Sequence, residues 1–375
     1  MPGRCILCAG DLKNPLSLNN MPASAQGFTR SSTEAAQASI IMDIFSCQYC
    51  GLVQYQGPLV PYYKEVIRST RLSDPMLQFR NNQFSALVSN NGIRSVFELG
   101  AGGGEYLDVF KFLGVKTYGI EGSKILAHQA RESGHSVYDG FFPGTDLASQ
   151  IGEKTFDLVT SFNFIEHLPD PLASLRTLTQ LLNSGGKAIL EVPNFDMISQ
   201  FGLFNEFISD HRSYFTEKTF SLLLSMAGLE ILSVDSIWEN YILSAVAEKR
   251  KPVTWTPYLD VRSSLCDGVE KFFSGSPALE NAIWSAGHQS LATISNLQLE
   301  KFISCIIDSS PNKQSTFSPA SSLPIVAPDV LSEGKIKRVL LAAAGFNSEI
   351  SLSIKENFDP SIKIAFLNKG VVEFE

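Results

Sequence analysis

The middle of the chain switches repeatedly between a strand-like and a helix-like spacing of apolar residues. Arg94 to Leu99 has the β-branched and apolar content of a buried strand and runs directly into Gly100, Gly102, Gly103 and Gly104. Tyr106-Leu107-Asp108-Val109-Phe110 then begins a helical period, so this stretch reads as strand, glycine turn and helix. The alternation continues with a helix over 105–113, a strand over 116–120, a helix over 123–133, a short strand at Ser136-Val137-Tyr138 and a strand over 156–162. An amphipathic helix from Leu175 to Leu182 is expected to stop at a C-cap in Asn183-Ser184-Gly185-Gly186, ahead of a strand from Lys187 to Asn194. Phe195 to Ser209 reads as an aromatic-rich loop suited to a lid. Thr216 is placed to cap a helix over Lys218–Ala227, and Gly228 opens the last strands of this region. Upstream, Pro75 to Asn90 reads as a helix with Met76, Phe79, Phe84 and Leu87 roughly on one face. The expected fold is α/β, a parallel sheet with helices on both faces and ligands at the carboxyl ends of its strands.

Beyond residue 250 a second, smaller alternation begins. Ala282 to Gly287 reads as a strand entering a glycine turn, Cys305 to Gln314 as strand and turn, and strands follow at Pro324-Ile325-Val326 and Arg338–Ala344. At 375 residues, with 44% hydrophobic and 18% charged residues, the chain has room for several packed cores. We divide it at 1–74, 75–250 and 251–375. A net charge of −8 and a pI of about 5.3 leave no basic stripe, which argues against a nucleic-acid partner. The N-terminus has no apolar signal core, and no stretch approaches the roughly twenty apolar residues of a membrane span, so no membrane partner and a cytoplasmic location are expected.

Four of the six cysteines form two C-x-x-C pairs, Cys5/Cys8 and Cys47/Cys50. In a reducing compartment such pairs favour metal over disulfide, and four thiolates complete a tetrahedral shell for a structural Zn²⁺. The alternative is redox-active or unpaired thiols. Cys266 and Cys305 lie in apolar surroundings and read as buried bystanders. Tyr62 and Tyr63 belong to a packed linker, with roofing of a substrate pocket as the alternative.

The spacing Glu98-x-Gly100-x-Gly102-x-Gly104 is not the dinucleotide pattern, because the acid precedes the glycines. It resembles motif I of class I S-adenosylmethionine (SAM) methyltransferases. Glu121, about twenty residues on at the end of the second strand, suits the two ribose hydroxyls. A dinucleotide site or an empty Rossmann-like domain is the competing reading. Asp139 and Phe141 fall at the end of the third strand, where an acid meets an adenine amino group and a ring its face. Phe162-Asn163-Phe164-Ile165-Glu166-His167-Leu168-Pro169 resembles motif IV of the same enzymes, which implies that Asn163 and His167 point into the pocket. Taken alone, His167 reads equally as a structural histidine.

Cys-x-x-Cys, Cys47-Gln48-Tyr49-Cys50-Gly51-Leu52-Val53-Gln54, the glycine motif, the Asn163–His167 run and Asp210-His211-Arg212-Ser213-Tyr214-Phe215-Thr216 together resemble the three-domain sugar methyltransferases, which include nucleotide-deoxysugar C-methyltransferases. The resemblance implies an N-terminal zinc-binding domain, a central class I SAM fold and a C-terminal Rossmann-like domain that frames the substrate. It implies a small-molecule acceptor, a nucleotide-linked 4-keto sugar methylated at carbon, with His211 as base, His167 hydrogen-bonding the sugar and Asp210 as the neighbouring acid. The family run Tyr-His-Glu-His is Ile208-Ser209-Asp210-His211 here, so a phenol and an imidazole are lost. That departure keeps transfer to oxygen open, along with a catalytically inactive binding module.

Overall fold

A computed structural model describes residues 3–24, 28–60, 72–142, 151 and 154–375. Tyr62 and Tyr63 lie outside them. Two units emerge, Met1–Lys251 and Pro252–Glu375.

In the first unit, β1 (Leu16–Pro22), α1 (Ser32–Gln37), β2 (Ser39–Ser46) and β3 (Val53–Tyr55) precede the predicted alternation. That alternation forms as α2 (Asp74–Asn91), β4 (Ser95–Leu99), α3 (Glu105–Phe112), β5 (Lys116–Glu121), α4 (Lys124–Glu132), β6 (Ser136–Asp139), β7 (Phe156–Phe162), α5 (Pro171–Gln180) and β8 (Leu182–Pro193). It ends with α6 (Phe195–Phe201), β9 (Ser213–Tyr214), α7 (Glu217–Met226), β10 (Leu229–Ile237) and β11 (Ile242–Lys249). The central sheet has the order β10-β11-β8-β7-β4-β5-β6. Strands β4 to β8 run parallel, and β11 is antiparallel to β8 and to β10. From β4 the chain builds outwards through β5 and β6, then returns to add β7 and β8 on the other side. The order therefore reverses between β4 and β7, which opens a crevice at their carboxyl ends.

Two local expectations change. The helix before β8 starts at Pro171, because Asp170 caps it by accepting the Ala173 N–H (2.9 Å) and proline suits the first turn. It ends at Gln180. Residues 182–186 lie inside β8, where Leu182 pairs with Phe156 across an irregular register that Gly185 accommodates at φ +75°. The expected lid loop contains α6 and a 3₁₀ turn at Phe204–Glu206. Asn194 caps α6 by accepting the Asp196 and Met197 N–H groups, and Gly202 ends it in the left-handed region. Thr216 caps α7 as expected, in a reciprocal pair with Thr219.

The N-terminal strands do not stand apart from this architecture. Their antiparallel sheet has the order β1-β2-β3-β9, so its last strand comes from the loop region before α7, with Val53 opposite Tyr214 and Gln54 opposite Ser213. Cys5, Leu7, Leu12, Phe45, Cys47 and Leu52 share one apolar core with Phe97, Leu99, Phe215 and Phe220.

The helix α2 carries a feature the apolar pattern does not announce. Phe84 is buried and Met76, Phe79 and Leu87 are half-buried, but the deepest residue of the helix besides Phe84 is Arg80, 0% exposed. Its guanidinium donates twice to Glu191 of β8, Nη1 to Oε1 at 2.6 Å and Nη2 to Oε2 at 2.5 Å. Gln83 and Ser244 complete the cluster, and the rings of Tyr106 and Phe162 lie 5.3 and 5.1 Å from the guanidinium.

The second unit is built from α8 (Thr256–Phe273), β12 (Asn281–Trp284), α9 (His288–Leu297), β13 (Cys305–Ile307), β14 (Thr316–Phe317), β15 (Pro324–Val326), β16 (Arg338–Leu341), α10 (Asn347–Asn357), β17 (Lys363–Asn368) and β18 (Val371–Phe374). Its sheet order is β14-β15-β13-β12-β16-β17-β18, parallel except at the two edges. Asp308, just after β13, accepts the Ala286 N–H (2.7 Å) and the Ser310 N–H (2.9 Å) and pairs with Lys313. Cys305 is buried and Cys266 half-buried. Among the described residues, no helix is long and apolar enough to cross a membrane.

Candidate active site and cysteine cluster

The glycine turn follows β4. Gly100, Gly102 and Gly104 have φ of +77°, +54° and +95°. A Cβ on Gly100 would come within 2.6 Å of the Phe164 ring, and one on Gly104 within 2.7 Å of His135. These two positions are thus held to glycine by the protein's own side chains as well as by backbone sign. Glu121, at the end of β5, closes the turn: its Oε2 accepts the Gly102 N–H (2.9 Å) and its Oε1 the Ser123 N–H (2.7 Å). Burial raises the Glu121 pKa against the pull of these amides.

Glu98 lies 1% exposed on β4, and its Oε2 has no hydrogen-bond partner. Burial, and then the charges of Glu105 and Glu121, drive its pKa well above the ordinary value. Three carboxyls therefore crowd the mouth of the glycine turn, a setting that a cationic ligand would relieve. A sulfonium and ammonium, as in SAM, fit that need. Asp139 and Phe141 sit further out: Asp139 is exposed and pairs with Arg131 at 2.8 Å, and Phe141 is 38% exposed.

Across the crevice, β7 is followed by Asn163, a non-glycine residue in the left-handed region at φ +47°. Such a conformation costs energy and is held only where its surroundings dictate it. The Asn163 N–H donates to the Glu191 carbonyl (3.1 Å), while its Oδ1 is buried with no partner. A 3₁₀ turn, Ile165–His167, follows. Its Glu166 carbonyl accepts the Arg212 N–H (2.8 Å), and His167 Nδ1 lies 3.1 Å from the Asp210 carbonyl. A carbonyl only accepts, so Nδ1 carries the proton and Nε2 presents its lone pair.

These two straps bring His211 beside His167, ring centroids 4.7 Å apart and nearly perpendicular. Tyr214 flanks His211 at 6.0 Å, with its hydroxyl hydrogen-bonded to both the N–H and the carbonyl of Ile208. Burial and the neighbouring His167 hold the His211 pKa well below 6.5. Burial also lowers that of His167, against the Asp210 carbonyl. Asp210 itself is buried and hydrogen-bonded through Ser209 (3.4 Å). The sequence reading did not single out Glu166. It is 2% exposed, its Oε2 has no partner, and burial raises its pKa to about 8. An acid between Ile165 and His167 was the available signal.

The four N-terminal thiols converge, Cys5 Sγ to Cys50 Sγ at 3.5 Å and Cys8 Sγ to Cys47 Sγ at 3.5 Å, all within 4.8 Å of one another. The edge of a zinc–thiolate tetrahedron is about 3.8 Å. Both knuckles have the same backbone form. Ala9 N–H donates to the Cys5 carbonyl and Gly51 N–H to that of Cys47, and both donors are left-handed, at φ +59° and +81°. Although burial opposes ionisation of Cys47, the amides of Cys50 and Tyr49 bring its pKa down to about 7. The donor set and spacing fit a closed Cys₄ zinc site.

A family model described as a methyltransferase domain matches residues 68–234. The chain carries a methyltransferase domain. The matched stretch includes the glycine turn and strands β4 to β8. Over 242 residues the chain is 22% identical to the C-methyltransferase NovU of Streptomyces niveus, covering 61% of this chain and 56% of that protein. Over 114 residues it is 35% identical to the ubiquinone biosynthesis O-methyltransferase of Xanthomonas axonopodis pv. citri, covering 29% of this chain and 47% of the relative. The chain thus spans about half the length of the curated relatives it matches. Among solved structures, the CcbJ methyltransferase from Streptomyces caelestis aligns at 16% identity and a TM-score of 0.39, covering 51% of this chain and 95% of that one.

Proposed function

We propose that this chain transfers the methyl group of SAM to a small activated sugar, a nucleotide-linked deoxysugar with a 4-keto group, and that His211 removes the proton from the carbon that is methylated. The observation that carries this reading is the half-buried His167–His211 pair just beyond the end of β7, with His167 strapped in place by the Asp210 carbonyl. SAM, when bound, supplies an electrophilic methyl on a sulfonium that needs no acid to leave. Glu121 would hold the ribose hydroxyls beside the amides it already accepts, while Glu98 and Asn163 would use their unpartnered oxygens on the cofactor. Gly100, Gly102 and Gly104 shape the turn beneath it. Asp139 and Phe141 would meet the adenine end.

At the acceptor, the His211 ring takes the proton and His167 Nε2 accepts from a sugar hydroxyl. Their desolvated surroundings keep both rings neutral, the form that accepts protons and hydrogen bonds. Cys5, Cys8, Cys47 and Cys50 would hold a structural Zn²⁺ that fixes the N-terminal sheet. In this reading residues 1–74, 75–250 and 251–375 are the zinc-binding, SAM-binding and Rossmann-like parts of a sugar methyltransferase.

The second reading is transfer to oxygen, favoured by 33% and 35% identity over 106 and 114 residues to ubiquinone biosynthesis O-methyltransferases. Mass spectrometry of products from SAM and a panel of nucleotide sugars separates the two. A gain of one methyl confined to 4-keto sugars is the expected result; gain only on non-keto sugars would assign the reaction to oxygen, and no gain on either class would overturn the sugar assignment.

Glu121→Ala is expected to weaken SAM binding by about 1.5–3 kcal/mol, roughly 10- to 150-fold in Kd, the worth of charge-assisted hydrogen bonds. Titration calorimetry reads this directly, with Glu121→Gln separating lost charge from a disturbed turn. An unchanged Kd in both variants would remove Glu121 from the cofactor site.

A further inference from the structure

We propose that Glu166, His167 and His211 form a second metal site, for a divalent cation of the zinc type, separate from the four cysteines. One ligand atom from each residue lies within 4.8 Å of the other two, and Glu166 Oε1 is 3.9 Å from His167 Nε2. The Glu166 carboxyl is buried and its Oε2 has no protein partner, an arrangement that costs free energy unless something else meets that oxygen. His167 is already set as a ligand: Nδ1 donates to the Asp210 carbonyl, as ligating histidines donate their second nitrogen, which aims the Nε2 lone pair at the cluster. Backbone bonds hold the cluster from both sides, Arg212 N–H to the Glu166 carbonyl at 2.8 Å and His167 N–H to the Phe164 carbonyl at 3.1 Å.

Two imidazoles and one carboxylate select zinc, cobalt or nickel over magnesium or calcium, which prefer all-oxygen shells. Bonds of about 2.0–2.2 Å need ligand atoms about 3.4 Å apart in a tetrahedron, so small side-chain rotations close the triangle. Three protein ligands leave the fourth position open to water or a small ligand. A further consequence rests on the proposed role of His211 as base. The lone pair that ligates the ion is then unavailable to the acceptor's proton, and the cation and the transfer reaction compete.

The test titrates Co²⁺ into the full chain carrying one equivalent of Zn²⁺, which the four thiolates take in preference to the histidine site. The expected result is one Co²⁺ bound per chain, seen as d–d absorption with no thiolate-to-metal charge transfer. His211→Asn and Glu166→Gln, each checked for folding by circular dichroism, should abolish that binding while the zinc content stays unchanged. Absence of Co²⁺ uptake by the protein carrying one Zn²⁺ per chain would overturn the site. So would equal uptake by both variants, or a charge-transfer band showing that the ion sits among the cysteines. A methyl-transfer assay with and without Co²⁺ then separates the two claims. Loss of transfer on Co²⁺ binding supports competition at His211, whereas bound Co²⁺ with undiminished transfer leaves the metal site standing and removes the base assignment.

Discussion

His211→Ala should slow methyl transfer about 10²- to 10⁴-fold, the usual worth of a positioned general base, and leave the Kd for SAM unchanged. The separation of effects follows from placement. The proposed cofactor contacts lie on the turn after β4 and the end of β5, whereas His211 belongs to the segment leading into β9. The side chain's hydrogen-bonding surroundings are sparse, its ring facing His167 and Tyr214, so truncation removes a proton acceptor without opening the cofactor turn. Single-turnover rates with a keto sugar measure the loss. Partial recovery in added imidazole would mark proton transfer, because a merely structural cavity would gain no chemistry from the free base. An undiminished rate in His211→Ala would eliminate the proposed mechanism.

Arg80→Ala is expected to destabilise the first unit by about 3–5 kcal/mol, since it strands the Glu191 carboxylate in a dry interior. Burial opposes the charge on Arg80, and the bidentate contact with Glu191 overcomes it, raising the guanidinium pKa. Chemical denaturation followed by circular dichroism gives the value. The paired replacement Arg80→Met with Glu191→Leu should cost much less than the single one, because it removes both charges together. A single variant as stable as the parent would show that the pair contributes little.

The Arg80–Glu191 pair also shows where sequence reading reaches its limit. The stripe Met76, Phe79, Phe84, Leu87 correctly marks the buried face of α2, and Arg80 lies within that stripe, one turn before Phe84. Glu191 likewise interrupts the apolar run Ala188-Ile189-Leu190 of β8. Each alone reads as a tolerated surface charge. Only a contact between residues 111 apart in sequence reveals that they neutralise one another. The strand and helix order of the central sheet was legible because its periods are local. The meeting of Glu98, Gly102 and Glu121 was legible because a glycine spacing carries it.

Other features needed the third dimension. The start of α5 is set by Asp170 and Pro171, whose capping signal the apolar pattern at Leu175 obscured. The Asn183–Gly186 stretch looks like a helix stop, yet its glycine serves a strand irregularity. Glu166 passed unnoticed because an acid beside a histidine is ordinary until its oxygen proves to be buried without a partner. Similarity of motifs drew His167 and His211 out of the sequence; their perpendicular packing depends on backbone straps that no spacing encodes.

The pairing of β3 with β9 bears on how this protein comes to be assembled. Tyr55 N–H donates to the Arg212 carbonyl, and the Arg212 guanidinium reaches the Gly57 carbonyl, bonds that join chain positions 155 or more apart. Long-range pairings of this kind close late, after local strands and helices have formed. During synthesis the first three strands emerge early, and their fourth strand follows only after the whole core from β4 to β8 has been made. The sheet beside the two histidines is therefore complete only once the segment that carries His211 has itself been made.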